Sequence, residues 1–317
     1  MLKCASLFAG VGGIDLGFEI AGFKTVYANE FDPYAADTFE KNFSITVDRR
    51  DINTVPASEL PDFDILLAGF PCQAFSIAGH RQGFNDTKGR GNLFFEVTRI
   101  IAEKKPRVAF FENVKNLVSH DNGNTFRTIC KQLEDLNYKY LFQVMNSSEY
   151  GNIPQNRERI YIVAFRDKKD YANFSLPKSI PLTKTIKDII DFNTKVDDKF
   201  YYTPEKCKFY DELRSNMVNS DTIYQWRRVY VRENKSNLIP TLTANMGTGG
   251  HNVPLILTHD KSIRKLTPRE CFNAQGFPPT FKLPEQSNGR LYKQAGNSVV
   301  VPVVARIAKE IEKSITE

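Results

Sequence analysis

Short apolar runs alternate with amphipathic stretches through the first half of the chain. The apolar runs end in loops rich in polar residues or glycine and cover residues 3–8, 25–30, 64–68 and 108–111. The amphipathic stretches have apolar residues at helical spacing and cover residues 14–21, 93–104 and 125–136. This alternation predicts an open α/β sheet, whose chemistry is expected at the carboxyl edge of the strands.

The pattern changes after two further predicted strands, at residues 140–145 and 157–165. From about residue 179 to residue 258 prolines, lysines and aspartates are frequent and periodicity is weak, which indicates a second, smaller domain. Within it, residues 225–232 form a basic, aromatic strand candidate and residues 240–251 a glycine-rich turn. Beyond it, Thr267 and Pro268 predict the start of a short capped helix, with Cys271 in the core.

Composition narrows the class of protein without identifying it. The 317 residues are 41% hydrophobic and carry a formal charge of +6, which permits an anionic partner but does not require one. No apolar run approaches the roughly 20 residues of a membrane span, so we expect a soluble cytoplasmic protein. The five cysteines lack the spacing of a zinc site or a disulfide framework, so we expect reduced thiols and no metal.

Three predicted strand ends in the first half could hold a nucleotide-like cofactor. The first strand runs into a glycine turn before a helix, where the backbone can approach a ligand closely. The next ends in an acid at the distance expected for a carboxylate that grips ribose hydroxyls, and a later segment repeats an acid with an apolar neighbour. The candidate residues are Phe8, Gly10, Val11, Gly12, Glu30, Phe31, Asp51 and Ile52. Tight packing could explain the glycines, and Glu30 could be a solvated surface charge.

Cys72 is the candidate nucleophile, because it follows an apolar strand in a loop framed by Gly69 and Pro71, with Gln73 and Ser76 as polar neighbours. Considered alone, an intracellular cysteine is more often a small buried hydrophobe.

Charged side chains at other predicted strand ends could complete such a site. Glu112 follows a buried strand, where it is either an exposed edge acid or a carboxyl group in a half-desolvated site. Arg157 and Arg159 are spaced i, i+2 and are expected on one face of a strand. Residues 77–91 are expected to form a mobile lid, with Arg81, Lys88 and Arg90 near phosphates.

Six separated motifs, in order, resemble the DNA cytosine-5 methyltransferase family of the bacterial restriction-modification type. They include the glycine turn, the Pro-Cys-Gln segment at Cys72, Glu112-Asn-Val, Gln-x-Arg-x-Arg at residues 155–159, the Thr-Leu segment of the second domain and the run from Gln294. The resemblance implies a Rossmann-like sheet that binds S-adenosyl-L-methionine and a smaller domain that recognises DNA. We expect the catalytic domain at residues 1–178, completed by 290–317, and the recognition domain and hinge at 179–289.

The resemblance also implies a role for each candidate residue. Cys72 would attack carbon 6 of a flipped-out cytosine, neutral Glu112 would donate to N3, Arg159 would stabilise the base oxygen, and Arg157 would contact the base or order the site. Pro71, Asn297, Ser298 and Val299 would join the cofactor site. The expected DNA contacts are Gln73, Ser76, Arg81, Arg90, Arg228, Thr241, Asn245 and Gly247.

The expected partner is double-stranded DNA, bound by a monomer, with a cognate restriction endonuclease acting on the same site. Three alternatives stay open on the sequence. A dinucleotide-dependent oxidoreductase explains the glycine turn and Glu30 but not Cys72 and Glu112, and a non-catalytic DNA-binding module does not explain a cofactor pocket. The nearest rival is a transfer-RNA cytosine-5 methyltransferase with the same chemistry.

Overall fold

The structure is a computed structural model that describes residues 1–71, 93–227, 229–248 and 253–316. Their contacts divide into two compact units. Unit 1 comprises Met1–Met145, Glu158–Lys178 and Val303–Glu317, and unit 2 comprises Asn146–Arg157 and Ser179–Pro302. The second unit thus extends beyond the expected 179–289 and includes a short earlier stretch.

Unit 1 contains an α/β sheet, as the hydrophobic pattern predicts. Its strands are β1 Lys3–Leu7, β2 Lys24–Asn29, β3 Ile65–Ala68, β4 Val108–Val114, β5 Lys139–Asn146 and, after the two-residue β6 Gln155–Asn156 of unit 2, β7 Glu158–Phe165. Its helices are α1 Gly13–Ile20, α2 Pro33–Glu40, α3 Leu93–Lys104, α4 Asn124–Asp135 and α6 Lys168–Asn173. The short helix α5 Ser147–Tyr150, which lies between α4 and α6 in the chain, belongs to unit 2.

The sheet has the order β2-β1-β3-β4-β7-β5. Strands β1 to β4 pair in parallel, so their carboxyl ends share one edge, whereas β7 runs antiparallel to β4. The antiparallel direction brings the first residues of β7 to that same edge, with Arg159 opposite Val114. Side chains on strands that are distant in sequence therefore converge at one edge.

A buried apolar core covers the sheet of unit 1. Leu66, Ala68, Phe111 and Ile162 are among its fully or almost fully buried members. The last helix of the chain, Val301–Thr316, is tied to this unit by Arg107. The guanidinium of Arg107 donates to Asp170 from Nε and Nη2 at 2.6 and 2.8 Å and from Nη2 to the Ile315 carbonyl at 2.8 Å.

Unit 2 is built on a smaller sheet and short helices. Its further strands are β8 Tyr201–Tyr202, β9 Tyr224–Trp226, β10 Val231–Glu233, β11 Ile239–Pro240, β12 Leu255–Leu257 and β13 Ile263–Lys265. Its further helices are α7 Tyr210–Asn216, α8 Pro268–Ala274 and α9 Asn288–Asn297, followed by α10 Val301–Thr316, which belongs mostly to unit 1. The five-stranded sheet has the order β10-β9-β12-β13-β8, and β11 pairs in parallel with β6.

Two local predictions in the later part of the chain had different outcomes. The expected single strand at residues 225–232 was wrong: β9 and β10 form an antiparallel hairpin, with Val231 opposite Trp226. The capped helix was confirmed, because Thr267 and Glu270 form a reciprocal capping box and Pro268 occupies the first turn. Cys271 is fully buried on it, and desolvation raises the pKa of its thiol.

The four cysteines in the described ranges, Cys4, Cys130, Cys207 and Cys271, are free thiols, and no helix in these ranges is long and apolar enough to cross a bilayer. Nor do the described histidines, cysteines and acids form a group of three that could hold a metal ion.

Candidate active site

The backbone of the glycine turn after β1 has positive φ values. Phe8 has a φ of 55° and Gly10 a φ of 57°. Both angles lie in the left-handed region, which a non-glycine residue such as Phe8 adopts at a cost in free energy. Among the described residues, a Cβ added at Gly10 would meet no heavy atom within 4 Å, so these residues leave the space beside this backbone open. A hydrogen bond ties this turn to the end of β2, because the backbone amide of Ala9 donates to the Asn29 carbonyl at 3.0 Å.

Glu30 lies between this turn and the start of α2. Its Oε2 accepts from the Gly10 amide at 2.8 Å, and its Oε1 accepts from the Asp32 amide at 2.7 Å. Two backbone donors therefore hold the carboxylate in one orientation. Beside it, the ring of Phe31 is 69% exposed, which leaves an aromatic face accessible at the sheet edge.

The second acid-bearing segment is attached to the same edge through Asn29. The buried amide of Asn29 donates to the carbonyls of Asp48 and Arg50 at 3.0 and 2.9 Å. Asp51 follows, exposed, and caps a single 3-10 turn by accepting from the Asn53 amide at 3.0 Å, whereas Ile52 is buried in the core. Asn29 was not predicted as a site residue, although its position as a polar residue just before Glu30, at the end of an apolar strand, was a signal for it.

Glu112 and Arg159 are brought together by the antiparallel pairing of β4 and β7. The Nε of Arg159 lies 3.1 Å from Oε1 of Glu112, and the two side chains are only 14% and 12% exposed. An Nη nitrogen of Arg159 also donates to the Glu158 carbonyl at 2.8 Å. A carboxyl group and a guanidinium thus stand in a partly desolvated position, where electrostatic interactions are stronger than in water.

The chain that leads to Cys72 is anchored beside Glu112. Asn113, which is 4% exposed, donates from Nδ2 to the Phe70 carbonyl at 2.9 Å. A Cβ added at Gly69 would lie 3.9 Å from Oε2 of Glu112 and 3.3 Å from Cδ1 of Ile14. Because glycine has no side chain, this position leaves room beside the carboxyl group of Glu112. Asn113 was also missed in the sequence, where it stands next to the acid.

Arg157 is not on the strand that carries Arg159, contrary to the expectation of a shared strand face. Strand β7 begins at Glu158, and Arg157 belongs to unit 2, where it is 2% exposed. Its guanidinium donates to three backbone carbonyls, those of Leu242, Gly296 and Ser298. The i, i+2 spacing predicted a common face only if the strand already included Arg157, and it does not.

The comparisons with known proteins identify the family. The model of the family described as C-5 cytosine-specific DNA methylase matches residues 2–313. The chain is 61% identical over 316 residues to the Type II methyltransferase M.Bsp6I of Bacillus sp., covering 99% of this chain and 100% of that protein. It is 39% identical over 325 residues to the Type II methyltransferase M.HhaI of Haemophilus parahaemolyticus, covering 99% and 95% of the two chains.

The chain belongs to the C-5 cytosine-specific DNA methylase family. It is therefore an enzyme, a DNA cytosine-5 methyltransferase, and the resemblance stated from its motifs is confirmed. The fold agrees: the solved structure of the Entamoeba histolytica methyltransferase EhMeth superposes with a TM-score of 0.74 at 18% identity, covering 100% of this chain and 99% of that one.

Several expected site residues of the methylase lie outside the described ranges. They are Cys72, Gln73, Ser76, Arg81, Lys88, Arg90 and Arg228, together with the rest of the expected lid. Their roles remain predictions. Pro71, the last described residue before Cys72, is exposed.

The remaining expected residues of the methylase belong to unit 2, apart from Val11 and Gly12, which are buried in unit 1. A Cβ added at Gly12 would lie 2.2 Å from the ring of Phe43, so close packing accounts for this glycine. Asn297 is exposed at the end of α9, whereas Ser298 and Val299 are buried. Thr241 is exposed, and its hydroxyl donates to the Asn156 carbonyl at 2.6 Å. Asn245 is also exposed, and Gly247 has a φ of 84° against the ring of Tyr292.

Proposed function

We propose that this methylase transfers the methyl group of S-adenosyl-L-methionine to carbon 5 of a cytosine flipped out of a short specific duplex site. We also propose that it is the modification enzyme of a Type II restriction-modification system. The observation that supports the reaction best is the partly buried pair of Glu112 and Arg159, beside the anchored strand end that leads to Pro71 and Cys72. The names of the two bacterial relatives support the biological role.

The residues of unit 1 fit S-adenosyl-L-methionine. The open space at Gly10 would admit a ligand against the backbone, where any Cβ would narrow it. The fixed carboxylate of Glu30 can accept from ribose hydroxyls, since a carboxylate offers about four acceptor positions. The exposed ring of Phe31 can stack on adenine, and Asp51 can accept from its amino group. When bound, the cofactor supplies an activated methyl group on a sulfonium.

Covalent activation of the cytosine is assigned to Cys72. Carbon 5 of the ring is a weak nucleophile, and addition of a thiolate at carbon 6 makes it electron-rich enough to accept a methyl group. The carbon 5 proton is then lost, and the thiolate leaves as the double bond re-forms. Because carbon 6 is enclosed in a stacked duplex, the base must first be flipped out, at a cost of a few kcal/mol.

Glu112 and Arg159 are assigned the role of stabilising the negative charge that develops on the ring during this addition. Negative charge spreads toward N3 and the carbonyl oxygen, where donors positioned in advance lower the barrier most. The protonated carboxyl group of Glu112 would donate to N3, and the guanidinium of Arg159 would donate to the oxygen. Their mutual contact at 3.1 Å keeps both side chains in place before the base arrives.

The bacterial relatives support a biological setting for the methylase. M.Bsp6I and M.HhaI come from bacteria, whose DNA lies in the cytoplasm, so we place this methylase there. We expect it to act as a monomer on double-stranded DNA and to protect a site that a cognate restriction endonuclease cuts. Size-exclusion chromatography with light scattering tests the first expectation, and digestion of methylated plasmid with candidate endonucleases tests the second.

The decisive experiment measures methyl transfer by purified protein. Radiolabelled S-adenosyl-L-methionine is incubated with duplex DNA and, separately, with transfer RNA, and the DNA product is sequenced after bisulfite treatment. We expect label in DNA and protected cytosines in one short sequence context. Label in transfer RNA alone would contradict the proposal.

The covalent step is tested with Cys72→Ser. This variant should retain affinity for S-adenosylhomocysteine, measured by calorimetry, and lose most turnover, because a serine hydroxyl is far less acidic than a thiol. A Cys72→Ser enzyme with wild-type turnover would disprove the covalent mechanism.

A further inference from the structure

Arg157 links two stretches of unit 2 that are far apart in sequence. Its Nη1 donates to the Leu242 carbonyl at 2.7 Å, and its Nη2 donates to the carbonyls of Gly296 and Ser298 at 3.0 and 2.5 Å. The first carbonyl belongs to the segment 241–248, which carries the expected DNA contacts Thr241 and Asn245. The other two lie at the carboxyl end of α9.

The carboxyl end of α9 accounts for a buried cation at this place. The last carbonyls of a helix have no partner within the helix, and the helix dipole makes this end negative. A guanidinium can satisfy two such carbonyls while its second terminal nitrogen reaches a third group, because its donors form a rigid planar fork. Arg157 therefore caps α9 and holds the segment 241–248 with the same side chain.

Two further contacts fix the segment from other directions. Gln155, which is fully buried, accepts from the Leu242 amide at 3.4 Å and donates to the Ala274 carbonyl at 2.6 Å. Gly296 packs directly on the segment, since an added Cβ would lie 2.2 Å from the carbonyl carbon and oxygen of Thr243.

The anchored backbone of the segment 241–248 leaves several of its polar side chains exposed to solvent. Leu242 and Met246 are buried at 1% and 0% exposure, whereas Thr241, Thr243 and Asn245 are exposed. A segment with a fixed backbone and exposed polar groups is suited to reading base edges, which requires donors and acceptors in defined positions.

We propose that Arg157 is a positioning residue that sets the register of the segment 241–248 on DNA and does not touch the reacting base. This inference rests on the proposed function, since it assigns a role within DNA recognition by the same enzyme. It replaces the expected catalytic role of Arg157 and leaves Arg159 as the arginine that faces the base.

The main test variant is Arg157→Lys, which keeps a positive charge for the end of α9. A single ammonium nitrogen cannot span the separate carbonyls of Leu242, Gly296 and Ser298, so the link should be lost. Gly296→Ala tests the same link independently, because its Cβ would displace Thr243. The matched control is Arg264→Lys, since Arg264 is another fully buried arginine of unit 2 and bonds both oxygens of Glu270 at 2.8 and 2.9 Å.

Three quantities are measured for each variant and the wild type, below the thermal midpoints found by differential scanning fluorimetry. They are the Kd for duplex DNA with the site defined by bisulfite sequencing, the Kd for the same duplex with one base pair changed, and the single-turnover methylation rate at saturating DNA. For Arg157→Lys we expect the Kd for the correct site to rise roughly tenfold or more, because lost base contacts typically cost this much. We expect the ratio of the Kd for the altered duplex to the Kd for the correct site to shrink by a similar factor. The single-turnover rate should change less than about threefold.

Gly296→Ala should show the same signature, and Arg264→Lys should lower the thermal midpoint without changing the ratio of Kd values. A slower single-turnover rate with an unchanged Kd in Arg157→Lys would show that Arg157 acts on the base and would overturn the proposal. Equal loss of discrimination in Arg264→Lys would show a merely structural effect and would also overturn it. If the wild type transfers no methyl group to duplex DNA, the proposed function itself fails, which the wild-type reaction reports separately.

Discussion

Replacing Asp15 by asparagine should change how the stability of the methylase depends on pH. Asp15 lies in the first turn of α1 and is fully buried, where it accepts from the hydroxyls of Ser6 on β1 at 3.0 Å and of Thr25 on β2 at 3.1 Å. Burial raises the pKa of its carboxyl group from 3.8 to about 7, the two hydrogen bonds oppose the shift, and the nearby charge of Glu19 adds to it.

The sign of the effect follows from proton uptake. Between about pH 4 and pH 7 the folded protein holds the Asp15 proton, whereas the unfolded chain has already released it. The free energy of unfolding therefore falls as the pH rises through this window. Each pKa unit corresponds to about 1.4 kcal/mol, so the loss reaches up to about 4 kcal/mol by pH 7.

Asp15→Asn removes this titration, because the amide does not ionise and keeps an oxygen for Ser6 and Thr25. The difference in unfolding free energy, variant minus wild type, should rise by up to about 4 kcal/mol between about pH 4 and pH 8. Urea titrations followed by circular dichroism at constant ionic strength measure it at each pH.

Asp48→Asn is the matched control. Hydrogen bonds from Arg50 lower the pKa of Asp48, so this aspartate stays ionised in both states above about pH 5, and the difference between its variant and the wild type should be flat from there to pH 8. If the Asp15→Asn curve ran parallel to the wild-type curve over the whole range, a neutral buried Asp15 would be refuted.

Three further substitutions test the site. Glu112→Gln should lower the single-turnover rate on the order of 100-fold while the Kd for S-adenosylhomocysteine stays unchanged, because an amide can donate a hydrogen bond to N3 but, unlike a carboxyl group, cannot transfer a proton as negative charge develops there. An unchanged rate would exclude the assigned role. Asn113→Ala leaves the Phe70 carbonyl without its 2.9 Å donor, so urea unfolding should show a loss of about 1–3 kcal/mol, and a neutral result would mean that water replaces the amide. Phe31→Ala should raise the Kd for S-adenosylhomocysteine roughly tenfold by calorimetry without lowering the thermal midpoint, since the ring is 69% exposed; unchanged affinity would remove it from the cofactor site.

The local pattern of the chain was sufficient for most of the sheet of unit 1. Alternation of apolar runs and helical periods predicted β1 to β4 and the helices α1 and α3, because these periods follow directly from backbone geometry, whereas α2 was not predicted. The glycine turn and the acid Glu30 after β2 were likewise predictable, since glycine is the residue type that adopts a positive φ most readily and an acid after an apolar run is visible in the sequence.

The contacts inside the site could not be obtained in this way. Spacing predicted one strand face for Arg157 and Arg159, but β7 begins at Glu158 and carries only the second of them, which meets Glu112. That meeting depends on β7 running antiparallel to β4, and strand direction is set by packing over long sequence separations rather than by local period.

The sequence by itself determined the family, the order of the motifs and the elements that carry them. Only the tertiary structure decided which polar groups meet: Asn29 with residues 48 and 50, Asn113 with Phe70, and Arg157 with the end of α9. The physical reason is that a buried polar side chain must find a hydrogen-bonding partner, and folding, not sequence spacing, determines which one is within reach.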